Sequence, residues 1–326
     1  MPNDLPKSAP RTAFPILPAE PLIELARQAE DLARAALSAS TQRAYQGAWD
    51  AFTTWCSGHG LRTLPAEPET VALYVAWLAP QKSIRTVAVV LAAVAMVHRT
   101  AGHPSPTEDP NVRLVVRGLR RTHGKPAAAK DALRVSDLGA MVRELGEDLL
   151  GLRDRALLLL GFAGAFRRSE LVGLDLADLR EVPEGLVVLL RRSKTDPEGE
   201  GRKVGIPKAR RPELCPVAAV KTWIPAAGLT EGPLFRFVDR WGNVQDQRLS
   251  DRAVALVVQR AARRAGLDPK TLAGHSLRSG FCTEAARAGA SERAIMAQTG
   301  HRSTLTLRGY IRDGGMFLDH PGAKLL

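Results

Sequence analysis

A short basic stretch, His123-Gly124-Lys125-Pro126-Ala127-Ala128-Ala129-Lys130, separates two regions of helical patterning. Gly and Pro break helices and the stretch has no apolar period, so it reads as a linker and obliges the chain to fold as two units. The expected organisation is a mobile, proline-rich tail over 1–20, a helical domain over 21–122, a linker over 123–131 and a second domain over 132–326. In the first domain Ser40 or Thr41 is the expected cap of a helix carrying Tyr45, Trp49, Phe52 and Trp55, aromatics spaced for a core. Two apolar helices follow over 71–78 and 87–98, then a basic one over 112–121. That basic helix carries Arg113, Arg117, Arg120 and Arg121, with Arg117 and Arg121 four apart on one face. In the second domain Ser136 is the expected cap of a helix ending at Gly146, and 152–166 reads as a buried helix delivering Arg167 at its end. Strands are expected over 186–192 and 203–206, joined by a Gly-rich turn, with helices after Ser250, His275 and Ser291. The fold class is mainly α with one small β-sheet.

The formal net charge is +12 and it is shared: 14 Lys and Arg stand against 10 Asp and Glu in 1–125, and 32 against 24 in 126–326. Such a surplus favours a polyanionic partner, because neutralised phosphates release counterions. Cys56, Cys215 and Cys282 are scattered, odd in number and without CxxC spacing, which argues against a disulfide framework or zinc site and fits a reducing cytoplasm. The chain begins Met1-Pro2-Asn3-Asp4 without the apolar run of a signal peptide, and no segment approaches a membrane span.

Chemistry concentrates in the second domain. Arg167 lies in Ala165-Phe166-Arg167-Arg168-Ser169-Glu170-Leu171, His275 and Arg278 stand three apart, and His301 and Tyr310 follow. Only Tyr45, Tyr74 and Tyr310 are tyrosines. Attack on a phosphodiester spreads negative charge over the non-bridging oxygens, and arginines stabilise that charge best. Arg167 and Arg278 would form the clamp. His275 would take the Tyr310 proton or donate to the phosphate, His301 would donate to an oxygen, and Tyr310 would attack to give a covalent intermediate. The leaving hydroxyl needs an acid, for which Lys194 in the strand–strand turn and Lys203 on the return strand compete. Glu170 reads as a buried partner orienting a neighbour. No Asp/Glu cluster suggests a metal pair, so no metal or other cofactor is expected.

This ordered set resembles the tyrosine recombinase (phage integrase) family. The family's first-arginine block, typically Gly-Leu-Arg-x-Ser-Glu-Leu, matches 165–171. Its hairpin lysine matches Lys194, its His-x-x-Arg box 275–278, its Gly-His box Gly300-His301, and its nucleophile Tyr310. Trp55-Cys56, 64–69 and 98–102 are similar to the core-binding domain of Cre-type recombinases. The resemblance implies an all-helical, SAM-like core-binding domain and an α+β catalytic domain, clamped around double-stranded DNA. It further implies a homotetramer on two inverted-repeat sites and strand exchange through a Holliday junction with 3′-phosphotyrosine links. A C-terminal plug is also implied, for which Met316, Phe317 and Leu318, or Leu325 and Leu326, are candidates. A type IB topoisomerase and a non-cutting DNA-binding protein of the same fold are the alternative readings.

Overall fold

A computed structural model of the chain describes residues 36–124, 130–191 and 201–315, with scattered positions between 22 and 32. The expected tail over 1–20, Lys194 and the candidate plug residues lie outside the described residues. The chain divides into two compact units, Met1–Ala127 and Ala128–Leu326.

The first unit is helical: α1 (Ala39–Gly58), α2 (Pro68–Leu78), α3 (Ile84–Thr100) and α4 (Pro110–His123). The cap of α1 is Ser38, not Ser40 or Thr41. Ser38 is extended and its hydroxyl accepts the Thr41 N–H, while Ser40 and Thr41 already lie in the first turn. Apolar side chains recurring on one face of each helix converge on Phe52, Tyr74, Val75, Val90 and Val94. Trp49, Phe52, Tyr74 and Trp77 form a chain of ring contacts with centroids 5.1–5.7 Å apart. Tyr74, 2% exposed, is thereby committed to packing.

His98 is fully buried in this core. Its Nδ1 lies 2.8 Å from the Val94 carbonyl and its Nε2 accepts the Ala66 N–H at 2.9 Å, so the ring is neutral with its proton on Nδ1. Burial, outweighing the bond to Val94, holds its pKa below the ordinary histidine value. The fold therefore keeps the neutral ring while the unfolded chain takes up a proton. Stability present above pH ~6.5 is lost as pH falls from there through the lower folded value. Hydrogen exchange should show the protection factor of the Ala66 amide falling between pH 7 and 5; a constant factor would refute the assignment.

The second unit is built around α6 (Leu149–Ala163), which is apolar nearly all round and buries Leu157, Leu158 and Leu160. Each such side chain contributes about 2 kcal/mol by leaving water. Before it comes α5 (Val135–Arg143), for which Ser136 is not the cap: Arg134 occupies that position, and the helix stops short of Gly146. The Asp148 carboxylate caps α6, whose chain then turns at Gly164 and Ala165. Arg167 consequently does not end a buried helix but stands at the N-cap of a separate one, α7 (Arg168–Gly173).

Strands β1 (Leu179–Val182), β2 (Gly185–Leu190) and β3 (Arg202–Pro207) form an antiparallel sheet in that order, with Leu190 opposite Arg202. The α8 helix (Pro216–Ala226) buries Trp223, whose indole N–H donates to the Leu234 carbonyl at 2.9 Å. A second antiparallel pair, β4 (Arg236–Val238) with β5 (Val244–Arg248), adds to the one sheet expected. Four helices complete the unit: α9 (Asp251–Arg264), α10 (Gly274–Arg287), α11 (Glu292–Thr299) and α12 (Thr304–Gly315). Ser250 and Ser291 cap α9 and α11 as expected. Among the described residues no helix is long and apolar enough to cross a membrane.

Candidate active site

Helix α10 is the platform. At its start the Ala273 N–H donates to Ser276 Oγ, and farther along Gly280 is needed because a Cβ there would lie 2.2 Å from the Leu133 carbonyl oxygen. His275 and Arg278 lie one turn apart and reach different partners. Arg278, 1% exposed, donates to the Ala165 carbonyl (2.6 Å) and to His301 Nε2 (3.1 Å). Its acceptor Ala165 has φ +49°, a left-handed conformation that costs a non-glycine residue about 1–2 kcal/mol. His275 Nε2 is 2.7 Å from the Tyr310 hydroxyl.

Helix α12 delivers Tyr310. Leu307 is fully buried with Cys282 and Ile295, Arg308 pairs with Glu292 of α11 at 3.0 Å, and Thr283 Oγ1 donates to the Tyr310 carbonyl. The phenol thus stands in the same subunit's cluster, its ring centroid 5.7 Å from His275 and 5.8 Å from His301. His301 follows Gly300, which ends α11 at φ +68°. The Arg167 guanidinium donates to Glu170 Oε1 (2.5 Å), and Glu170 Oε2 accepts the Arg167 backbone N–H (2.9 Å). Glu170 therefore caps α7 and fixes Arg167 together. It is Arg167, not its neighbour Arg168, that makes this pair; Arg168 is exposed and lies against Gly274.

Burial, reinforced by Arg278, Arg168 and Arg167, lowers the His275 pKa, so the imidazole is neutral near pH 7 and able to accept a proton. Burial raises the Tyr310 pKa, with the charges of Arg278 and Arg167 working against it. His301 is pushed down to about 4, by burial first and then by Arg278, Arg167, His275 and Arg202. Arg278 falls to about 10 through burial and the like charge of Arg167. The cluster's surplus of positive charge, only partly offset by Glu170, suits it to an anion.

Sequence reasoning missed Arg202. Its guanidinium donates to the carbonyls of Gln298 (2.8 Å) and Thr299 (3.4 Å), the open end of α11, and it lies against Gly300. Strand alternation turns Arg202, Val204 and Ile206 one way and Lys203 the other; Lys203 is exposed on the face opposite Arg202. In the first unit Arg113, Arg117, Arg120 and Arg121 are all exposed. The first three line one groove of about 410 Å³ with Ala92 and Ala95, and Arg121 does not. Among the described residues no three His, Cys, Asp or Glu side chains gather as a metal site.

A profile of the phage integrase family matches residues 131–314. The chain belongs to the phage integrase family. It is an Xer-type tyrosine recombinase, an enzyme of site-specific recombination. It is 39% identical over 285 residues to an integrase/recombinase XerD homologue of Selenomonas ruminantium, covering 86% of this chain and 84% of that protein. The Cre recombinase of Escherichia phage P1 is a more distant relative, 27% identical over 301 residues and 86% of each chain. Among solved structures the recombinase is similar to a lambda integrase (75–356) dimer bound to a COC′ core site, at TM-score 0.59 and 18% identity over 91% of this chain and 96% of that one. That likeness confirms the mainly helical fold with small antiparallel sheets.

Proposed function

We propose that this recombinase cuts and rejoins double-stranded DNA through a covalent 3′-phosphotyrosine on Tyr310. The observation that carries the reading is the 2.7 Å contact of the Tyr310 hydroxyl with neutral His275, beside buried Arg278. His275 takes the phenolic proton as the oxygen bonds to phosphorus. Arg167, Arg278 and His301 hold the non-bridging oxygens, and the departing 5′-oxygen takes a proton from Lys194, with Lys203 the alternative acid. Attack by a 5′-hydroxyl on the phosphotyrosine reverses the step, so no ATP is consumed. Arg113, Arg117, Arg120 and Arg121 contact phosphates in this scheme.

The reading extends to a cytoplasmic, nucleoid-associated homotetramer on two inverted-repeat sites that exchanges strands through a Holliday junction. An apolar groove of about 460 Å³, lined by Phe162, Phe281, Ala285, Ala294 and Ile295 among others, supports such an assembly as the receptor for a neighbouring subunit's C-terminal segment. The test is to mix the protein with sheared DNA of its source, denature it and digest it. A DNA-linked peptide containing Tyr310 is expected. Tight binding without an adduct would favour the non-cutting reading, and relaxation of arbitrary supercoiled plasmid would favour a topoisomerase.

A further inference from the structure

The Thr299 hydroxyl lies 2.8 Å from His301 Nδ1 and donates to the Ile295 carbonyl at 2.7 Å. On the other side of the ring, Nε2 faces the Arg278 guanidinium at 3.1 Å. A guanidinium only donates, so Nε2 is the bare, accepting nitrogen and the single ring proton sits on Nδ1. That proton is donated to Thr299 Oγ1, whose own proton is already spent on Ile295. The three groups form a relay with one sense: His301 Nδ1–H to Thr299 Oγ1–H to the Ile295 carbonyl. Thr299 is fully buried, so water does not compete for the hydroxyl.

From this we infer that Thr299 is a positioning residue of the strand-cleavage reaction, fixing the His301 tautomer and aiming Nε2 at the place where the phosphate oxygen will sit. The inference rests on His301 facing the scissile phosphate. When an anion enters beside Arg278, Nε2 is the only ring position left to take a proton from a buffer acid. The resulting imidazolium donates to the phosphate through Nε2–H while Nδ1–H stays on Thr299. Without the hydroxyl, Nδ1–H would face a methyl group in a buried pocket. The ring would then rotate or shift its proton to Nε2, against the Arg278 donor. The hydrogen bond made by one ring nitrogen sets which nitrogen carries the proton, and at metal-bound histidines removing such a partner costs about 10–100-fold.

The test uses the full chain labelled with ¹⁵N-histidine, free of DNA, with His301 assigned by its absence in His301→Gln. The wild type should show protonated Nδ1 and bare Nε2, Thr299→Ser should retain that pattern, and Thr299→Val should lose it. Covalent adduct formation on sheared source DNA should slow on the order of tenfold in Thr299→Val and recover in Thr299→Ser, with DNA affinity unchanged. A wild-type ring protonated on Nε2, or a valine variant with unaltered tautomer and rate, would overturn the inference. Because the tautomer is read without DNA, this result stands apart from any failure of the recombinase reading itself. Should the valine variant not fold, the wild-type spectrum and the serine variant still decide.

Discussion

Replacing Tyr310 with phenylalanine is expected to reduce covalent protein–DNA adduct to background while leaving DNA affinity unchanged. The phenolic oxygen is the atom that would bond to phosphorus, and neither other tyrosine belongs to the unit that carries His275 and Arg278. Tyr74 is in the core of the first unit at 2% exposure, and Tyr45 lies on α1 of that same unit. Packing should survive the change, because the ring stays among the same neighbours beside Cys282 and Ile295. What is lost from the fold is one partly exposed hydrogen bond to His275, about 1 kcal/mol or less. Thermal midpoint, DNA affinity and adduct yield should therefore separate, with only the last collapsing. His275→Gln gives the companion result: it keeps a polar group near the phenol but no base, and adduct formation should slow about 10²–10⁴-fold. An adduct that persists in Tyr310→Phe would assign the nucleophile to another residue.

Much of this site was legible because it is local. His275 and Arg278 share a helix at a spacing of three, and Gly300 ends α11 immediately before His301, so motif and geometry coincide. Periodicity also located the helices of the first unit. The failures share a cause, which is that they depend on register or on backbone conformation that a residue list does not encode. Ala165 adopts a left-handed φ usually left to glycine, so the chain turns there and Arg167 takes the N-cap position of α7 instead of ending α6. Arg202 matters only because pairing with Leu190 places it facing the last carbonyls of α11, some hundred residues on. The same alternation turns Lys203 away from it, which no property of Lys203 itself could reveal. Strands of three to five residues, β1, β4 and β5, are too short for a period-two pattern to show.

Arg278→Met should cut covalent adduct formation about 10³-fold while changing the stability of the fold by no more than a few kcal/mol. Two opposing effects set the stability. Arg278 is 1% exposed beside Arg167 and Arg202, and its pKa, lowered to about 10, corresponds to about 3 kcal/mol by which the site disfavours the cation relative to water. Methionine has similar volume and no charge, so that cost disappears. Against it stand the bonds to the Ala165 carbonyl and to His301; leaving those acceptors unpaired costs about 1–3 kcal/mol each. The balance lies within a few kcal/mol of zero, a thermal shift of about 10 °C at most for a unit of this size. In the proposed mechanism catalysis has no such compensation, because the buried arginine that would meet the developing phosphate charge has no replacement in the variant. In the proposed reaction the substrate phosphate adds negative charge beside Arg278, so orthovanadate, as a phosphate mimic, should raise the melting temperature of the wild type and not that of Arg278→Met. If the variant unfolds outright, or if vanadate stabilises both proteins equally, Arg278 is a structural residue and the anion site lies elsewhere.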